Sequence, residues 1–146
     1  MSAGSRHTCA VSTADKAFCW GNGRGGQLGT GKTYLSFWPR PVAGGLSFEK
    51  VSAGSPHTCG KTILGGVYCW GGNHEGSLGD GTTTNRLTPA PVAGKLALIQ
   101  LSTSNAHTCG TTAAGMGYCW GYNASGQLGD GTTTRRLRPV AIVGPK

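Results

Sequence analysis

The sequence predicts an all-β protein of three consecutive four-stranded units, each like one blade of a β-propeller. The first observation is a repeat: His-Thr-Cys begins at positions 7, 57 and 107, and Cys-Trp-Gly begins at positions 19, 69 and 119. The second is composition, since the 146 residues include 27 glycines spread among Trp, Val, Leu and Cys. The third is that no long apolar stripe has helical spacing. A repeat of about fifty residues has the length of one propeller blade.

The strand and turn signals recur in the same order in each unit. A variable loop follows Cys-Trp-Gly, and a Gly-x-Leu-Gly turn, a second variable stretch and a proline-containing strand come after it. We therefore divide the chain into repeats at residues 1–50, 51–100 and 101–146, with the third incomplete. Closed propellers typically have roughly four to eight blades, so we expect three blades to be open or completed by other chains. The alternative is that they form part of a longer ring.

The cysteines occur as one pair in each unit. Cys9 and Cys19 flank a predicted β-hairpin, and the register that places Val11 opposite Ala17 also places these two cysteines opposite each other. Opposed residues have Cβ atoms close enough for a disulfide. We predict one disulfide within each unit, formed by the pairs Cys9–Cys19, Cys59–Cys69 and Cys109–Cys119. The alternative is a metal site that adds His7, but structural zinc usually takes four ligands with a short Cys-x-x-Cys spacing, and neither is present.

Compartment and partners follow from the cysteines and the charge. Disulfides persist in oxidising compartments, so we expect an extracellular or cell-surface protein, although no signal peptide follows Met1. No apolar run approaches membrane-spanning length, and we expect no membrane insertion. The net charge of +8, with only five acidic residues, favours an acidic partner, or serves solubility alone. A nucleic acid is not the favoured partner.

The order His-Thr, Trp-Gly, Gly-Gln-Leu-Gly and Pro-x-Pro-Val resembles the repeats of the regulator of chromosome condensation family. The resemblance covers nearly the whole chain and implies blades of the seven-bladed propellers typical of that family. It does not imply a function, because the family includes an exchange factor, a plant photoreceptor and a bacterial β-lactamase inhibitor. The photoreceptor's tryptophan is replaced here by Ser5, Ser55 and Asn105, and no long insertion matches that of the exchange factor. The paired cysteines favour an exported, bacterial-type member.

Three sequence features that resemble catalytic or ligand sites are better explained as structure. Residues 26–33 match the phosphate-binding loop pattern, but an aromatic, proline-ended stretch follows them where that loop needs a helix. The Asp-Gly pairs at positions 80 and 130 lack the alternating oxygen ligands of calcium loops. A histidine that recurs in every unit favours a structural role, such as a bond from a ring nitrogen to the backbone. We therefore predict no enzyme activity, cofactor or metal.

Function is expected where the three units differ, in loops positioned by the scaffold. The first unit carries Tyr34, Phe37 and Trp38, and clustered aromatic residues are typical of interfaces. In the third unit, the same stretch carries guanidinium groups that suit an acidic or phosphorylated partner, or form a solvated basic loop: Arg135, Arg136 and Arg138. Asn123 begins an Asn-Ala-Ser sequon for glycosylation on a predicted loop.

These observations predict a non-catalytic, secreted protein-interaction module that presents loops on a β-propeller scaffold. Its expected partner is another protein or further copies of itself. The alternative is a structural subunit of an extracellular assembly or fibre, in which unpaired blade edges of neighbouring chains pair with each other.

Overall fold

The computed structural model describes residues 1–144 and confirms the all-β prediction. The last two residues of the predicted third repeat lie outside this range. The strands are β1 (Ser2–Ala3), β2 (His7–Val11), β3 (Ala17–Asn22), β4 (Leu35–Pro41), β5 (Phe48–Ala53), β6 (His57–Thr62), β7 (Val67–Gly71), β8 (Arg86–Pro91), β9 (Leu98–Thr103), β10 (His107–Thr112), β11 (Gly117–Gly121) and β12 (Arg136–Ala141). Within residues 1–144, no helix is long and apolar enough to cross a bilayer.

The strands form three separate antiparallel sheets, which we call blades 1, 2 and 3. Blade 1 contains β1–β4, blade 2 contains β5–β8 and blade 3 contains β9–β12, and in each blade the strands lie side by side in chain order. Blade 3 has four strands, the first of which begins at Leu98, before the predicted start of the third repeat at residue 101. Blade 1 has four as well, but its first strand has two residues where β5 and β9 have six.

A disulfide crosses the central hairpin of each blade, in the register that the sequence predicts. Cys9 lies opposite Cys19, and Val11 lies opposite Ala17. The Cα atoms of the three cysteine pairs are 4.1, 4.0 and 4.1 Å apart. Each blade therefore carries a covalent link between two strands that are already neighbours in the ladder.

A glycine bulge follows the tryptophan of each blade. The pairing of β3 with β4 shifts register between Cys19 and Gly21, and Gly21 has a φ of 103°. A Cβ at this position would lie 2.7 Å from the carbonyl oxygen of Arg6. Only glycine accommodates both the left-handed backbone and the close approach, so the Cys-Trp-Gly motif marks the point where the sheet ends and the loop begins.

The hydrophobic core lies between the blades. Phe48 and Trp70 of blade 2 pack against Cys9 and Leu28 of blade 1, and an equivalent cluster fills the second junction. In the described residues, blade 2 is covered on both faces, while blades 1 and 3 are each covered on one. Neighbouring blades of this chain therefore meet through their faces, and pairing between strand edges of different chains stays a prediction.

Candidate functional site: blade junctions and an exposed aromatic patch

Each junction between neighbouring blades contains a buried chain of hydrogen bonds. His7 Nε2 lies 2.6 Å from Thr58 Oγ1, and the Thr58 hydroxyl donates to the carbonyl oxygen of Gln27 at 2.8 Å. Because the hydroxyl hydrogen points to the carbonyl, the threonine oxygen accepts, and Nε2 therefore carries the imidazole hydrogen. The second junction repeats the chain at 2.8 and 2.9 Å with His57, Thr108 and Ser77. The recurring histidines thus have a structural role, with a hydroxyl as partner where a backbone group was expected.

Two of the recurring tryptophans, Trp70 and Trp120, complete these junctions. Trp70 Nε1 donates to the same Gln27 carbonyl at 3.0 Å, and Trp120 Nε1 donates to that of Ser77 at 2.9 Å. Both indole rings are fully buried. Gly29, which has a φ of +68°, lies beneath the first ring, and a Cβ there would be 2.7 Å from Trp70 Nε1. The close contact of ring and backbone therefore depends on glycine.

The histidine rings at the junctions are electrically neutral. The Nδ1 atoms of His7 and His57 are buried without a hydrogen-bond partner. Burial lowers the pKa of His7 to about 4. The pKa of His57 is lowered to about 3, mainly by burial and to a smaller extent by the charges of the neighbouring histidines. Burial also lowers the pKa of His107, whose ring lies on the open side of blade 3. A proton at Nδ1 would place a charge where nothing compensates it.

A polar network that the sequence analysis missed stabilises the outer loops of blades 2 and 3. The Asn73 side chain donates to the carbonyl oxygens of Thr82 and Thr84, both at 3.0 Å, and accepts from the Leu78 amide at 3.0 Å. Asp80 accepts from the Asn73 amide and forms an ion pair with Arg86 at 2.8 Å. The blade 3 network has the same design with Asn123, Asp130, Thr132, Thr134 and Arg136.

These networks shift the carboxylates toward the charged form. Burial alone would raise the pKa of Asp80, but hydrogen bonds from Thr82 and Arg86 hold it below its ordinary value. Hydrogen bonds from Thr132 and Arg136 lower the pKa of Asp130 to about 2. The Asp-Gly segments are therefore loop anchors, in agreement with their interpretation as structural elements.

Asn123 does not fit the expected glycosylation site. Its side chain is 0% exposed, and its amide nitrogen donates to the carbonyls of Thr132 and Thr134 at 3.0 Å. A sugar on this nitrogen would displace the bonds that hold the loop. The sequon pattern is local and carries no information on this burial, so the prediction is corrected by the fold.

Blade 1 lacks the polar network altogether. Gly23, Thr30 and Ser36 occupy the positions of the asparagine, aspartate and arginine, and the Thr30 hydroxyl is buried without a partner. The sequence could have revealed this network, because the asparagine, the aspartate and the arginine depend on one another and are missing together from one repeat. The second variable stretch of blade 1 is therefore held differently from its counterparts.

Two of the three predicted aromatic residues form an exposed patch on β4, which we call the aromatic patch. Phe37 is 86% and Trp38 is 72% exposed, whereas Tyr34 is half-buried and lies outside the patch. The equivalent of Phe37 in blade 2, Leu87, packs on the preceding blade, where a Cβ on Gly26 would lie 2.7 Å from its Cδ2. The aromatic patch thus occupies junction positions on a face that no described blade covers.

The three predicted arginines each have their own contact within the chain. Arg136 pairs with Asp130 at 2.6 Å. Arg135 donates to the backbone carbonyl of His74 at 3.1 Å and reaches Glu75 at 3.7 Å, while Arg138 lies against Gly81. Two of them therefore tie blade 3 to blade 2, and the third anchors its own loop.

The segment that matches the phosphate-loop pattern is part of a junction. The Gly31 amide donates to the carbonyl of Leu87 at 2.9 Å, and strand β4 begins four residues later at Leu35. Among residues 1–144, no group of three His, Cys, Asp or Glu side chains is arranged to hold a metal ion. Cys9 and Cys19 are joined to each other, so their sulfurs are bonded within the hairpin.

Solved structures show the same arrangement of blades. Prp20p from Saccharomyces cerevisiae matches with a TM-score of 0.87 and 18% identity, over 97% of this chain and 37% of its own. Human WBSCR16 matches with a TM-score of 0.85 and 20% identity, over 97% of this chain and 36% of its own. The ectodomain of the Physcomitrella patens receptor kinase CR4 matches with a TM-score of 0.60 and 25% identity, over 83% of this chain and 28% of its own. The chain thus spans little more than a third of the length of the first two proteins. These similarities do not support the expectation of an exported, bacterial-type member.

The family comparison agrees with the fold. No curated protein sequence matches the chain. The family model of the Regulator of chromosome condensation (RCC1) repeat matches residues 15–60, 65–110 and 115–146, and a second model of this repeat matches residues 1–27 and 48–77. The matches to residues 15–60 and 65–110 each start at the hairpin turn of one blade and end in the second strand of the next blade, so each match spans one junction. Because the matches cover most of the sequence, the chain belongs to the RCC1 repeat family.

Proposed function

We propose that this chain is a non-catalytic protein-interaction module whose aromatic patch docks a protein partner. The observation that carries the proposal is the exposure of two adjacent large aromatic side chains, Phe37 at 86% and Trp38 at 72%. Aromatic residues are enriched at protein interfaces, and tryptophan and tyrosine dominate their binding energy. A soluble surface seldom keeps such a pair in water without a use for it.

Other observations support a binding role over a catalytic one. The recurring histidines and tryptophans are used in the junctions, and the aspartates anchor loops. Prp20p, which shares the fold, was crystallised in a study of its binding to Gsp1p and histones. The scaffold is therefore compatible with protein binding, and the partner of this chain is a separate question.

We also propose that the module acts outside the cell or on its surface. The support is chemical: every cysteine of the chain is paired in a disulfide, which an oxidising compartment maintains. A receptor ectodomain with a related arrangement, that of CR4, is a precedent for the fold in such a setting. Thiol labelling of the native protein in its cells tests this part, since labelled cysteines contradict it.

Site-specific photocrosslinking tests the binding role. A photoreactive phenylalanine analogue replaces Phe37, and the adducts formed in the producing organism are identified by mass spectrometry. We expect adducts with one or a few discrete polypeptides, and we expect Trp38→Ala to reduce their yield by tenfold or more, since removing an aromatic anchor typically costs about 2 kcal/mol or more.

A matched control uses the same analogue at Leu64. This residue is 94% exposed and lies in the hairpin turn of blade 2, away from the aromatic patch. Diffuse background at both positions, or adducts at position 37 that are insensitive to Trp38→Ala, would contradict the binding role.

A further inference from the structure

A cleft of about 430 Å³ lies between the hairpin turn of blade 2 and the linker that leads to blade 3. We call it the turn–linker cleft. Its walls are mostly apolar and come from the turn, the end of β8 and the linker: Leu64, Val67, Pro91, Val92, Leu96 and Leu98. Pockets for small molecules typically have volumes of roughly 300–1,000 Å³ and a mainly apolar lining. The cleft therefore has the size and the surface of a small-ligand site.

The equivalent place between blades 1 and 2 is bridged by side chains. Lys16 in the turn donates from Nζ to Ser47 Oγ in the linker at 3.1 Å. Gly66 and Ala97 occupy these two positions at the second junction, and neither has a side chain that can form a hydrogen bond. The bridge is therefore missing from the second junction, where the space between turn and linker forms the cleft.

The turn of blade 2 also differs from the other two turns in its apolar surface. Leu64 is 94% exposed, whereas the smaller Ala14 and Ala114 stand at this position in blades 1 and 3. A leucine side chain in water beside an apolar cleft gains free energy when a ligand covers it. The second junction thus combines a cleft with an added apolar group at its mouth, which favours a ligand with an apolar body.

Lys95 is the only cation among the residues that line the cleft, and none of them carries a carboxylate. Within residues 1–144, Lys95 takes part in no ion pair. Its φ is 48°, in the left-handed region where blade 1 has Gly45 at 68°. Such a backbone is uncommon for a residue with a side chain, and residues held in it cluster at ligand sites. An ammonium group beside apolar walls favours a ligand with an anionic end.

We propose that the turn–linker cleft binds a small carboxylic acid with an apolar body, such as a medium-chain fatty acid. The hydrocarbon chain lies against Leu64, Val92 and Leu96, and the carboxylate meets the Lys95 ammonium at the rim. Burial of apolar surface supplies most of the affinity, since an ion pair at an exposed lysine contributes little. The carboxylate fixes the orientation of the ligand and selects acids. This site shares no residue with the aromatic patch and goes beyond the proposed function.

Isothermal titration calorimetry near neutral pH tests the site, with octanoate and octanol as probes below the concentrations at which they aggregate. We expect the wild type to bind one octanoate per chain. Lys95→Met keeps an unbranched apolar side chain but removes the charge. It should weaken octanoate binding by about two- to fivefold, as expected for an exposed ion pair, and leave octanol binding unchanged. The matched control is Lys32→Met, which removes one positive charge from an exposed loop of blade 1 and should bind both probes like wild type.

A second variant closes the cleft with the bridge that blade 1 already uses. Gly66→Lys with Ala97→Ser is expected to abolish the binding of both probes, and circular dichroism checks that the variant is folded. Leu64→Ala, at an exposed position, serves if the double variant does not fold. It should weaken both probes by about fourfold or more, the contribution of one buried methylene group.

Three results would overturn the inference. The first is a wild-type chain that binds no octanoate, or that takes up several molecules without a defined stoichiometry. The second is binding that neither the folded double variant nor Leu64→Ala reduces. The third is an equal loss in Lys32→Met and Lys95→Met, which would indicate attraction to the overall positive charge. The crosslinking at position 37 tests the proposed function separately, so either proposal can fail without the other.

Discussion

At the scale of single residues, His7 and His57 are the most informative side chains of this protein. Each donates through Nε2 to a threonine of the next blade and leaves Nδ1 buried without a partner. Only the neutral ring is compatible with this arrangement, because the second proton would sit in a dry, unpaired position. The junctions are therefore stable only while these rings stay neutral.

Acidification is expected to destabilise the fold before its carboxylates titrate. The unfolded histidines have a pKa near 6.5, and the folded values of His7 and His57 are about 4 and about 3. Below pH 6.5 the unfolded chain binds more protons, so the free energy of unfolding falls as the pH drops toward 4. A shift of one pKa unit corresponds to about 1.4 kcal/mol, which gives a loss on the order of 3 kcal/mol for each histidine. Urea unfolding, monitored by tryptophan fluorescence at a series of pH values, measures this loss in the free energy of unfolding.

A matched pair of variants assigns this pH dependence. His57→Gln replaces the ring with an amide that does not titrate, so we expect lower stability at pH 7 and a smaller loss on acidification. His74→Gln, at an exposed loop position, is expected to keep the full loss. Data above about pH 4.5 avoid the titration of Asp80 and Asp130, whose folded pKa values lie below the ordinary range. Equal slopes in both variants would rule out the buried rings as the cause.

The roles of some single residues could be predicted from the sequence. A histidine repeated in every unit indicates structure, and this is confirmed. Its threonine partner lies 51 residues away in the next blade, and no local pattern reveals such a contact before the blades are stacked. The glycosylation expectation at Asn123 was wrong for the same reason, because burial is a property of the folded loop.

At the scale of elements, the hairpin was the most predictable feature. Its register follows from two local constraints, the turn at residues 12–16 and the opposed cysteines, and the structure has both. The loop networks were not predicted, because their hydrogen bonds run from asparagine to backbone carbonyls nine and eleven residues away. Such contacts depend on loop conformation, which composition does not determine.

Each disulfide is expected to stabilise its blade by a moderate amount. Cys59 and Cys69 are separated by ten residues, and closing a loop of this length in the unfolded chain corresponds to about 2–3 kcal/mol. Removing the bridge from the central blade by Cys59→Ala with Cys69→Ala should lower the free energy of unfolding by that amount in urea titrations. The oxidised wild type is the reference, and a reduced wild type should fall further because it loses three bridges. An unchanged midpoint in the double variant would contradict a stabilising role.

At the scale of the whole molecule, the repeat period predicted the architecture, but not which surfaces stay open. Counting blades indicates that three do not close a ring, but it does not say how neighbouring blades meet. In the structure each sheet keeps its strands in chain order, and neighbouring blades pack face to face through the junction clusters. Only the stacking direction distinguishes an open edge from an open face, and that direction is absent from the repeat pattern.

The unequal covering of the blades predicts unequal stability within one chain. Blade 2 has a junction core on each face, so amides of β6 and β7 should exchange about tenfold or more slowly than those of blades 1 and 3. Hydrogen exchange with mass spectrometry on dilute protein measures this difference. Uniform exchange across the three blades would contradict the expectation that blade 2 is the most stable.

The placement of the sulfur bridges also has a consequence for biosynthesis. Every bridge joins cysteines ten residues apart, and the nearest cysteine of the next pair is forty residues further along the chain. As the polypeptide emerges from the machinery that makes or exports it, each thiol therefore meets its correct mate long before any competitor appears. Oxidation can proceed hairpin by hairpin in the order of synthesis, and a chain built this way has little need of an isomerase to sort its thiols.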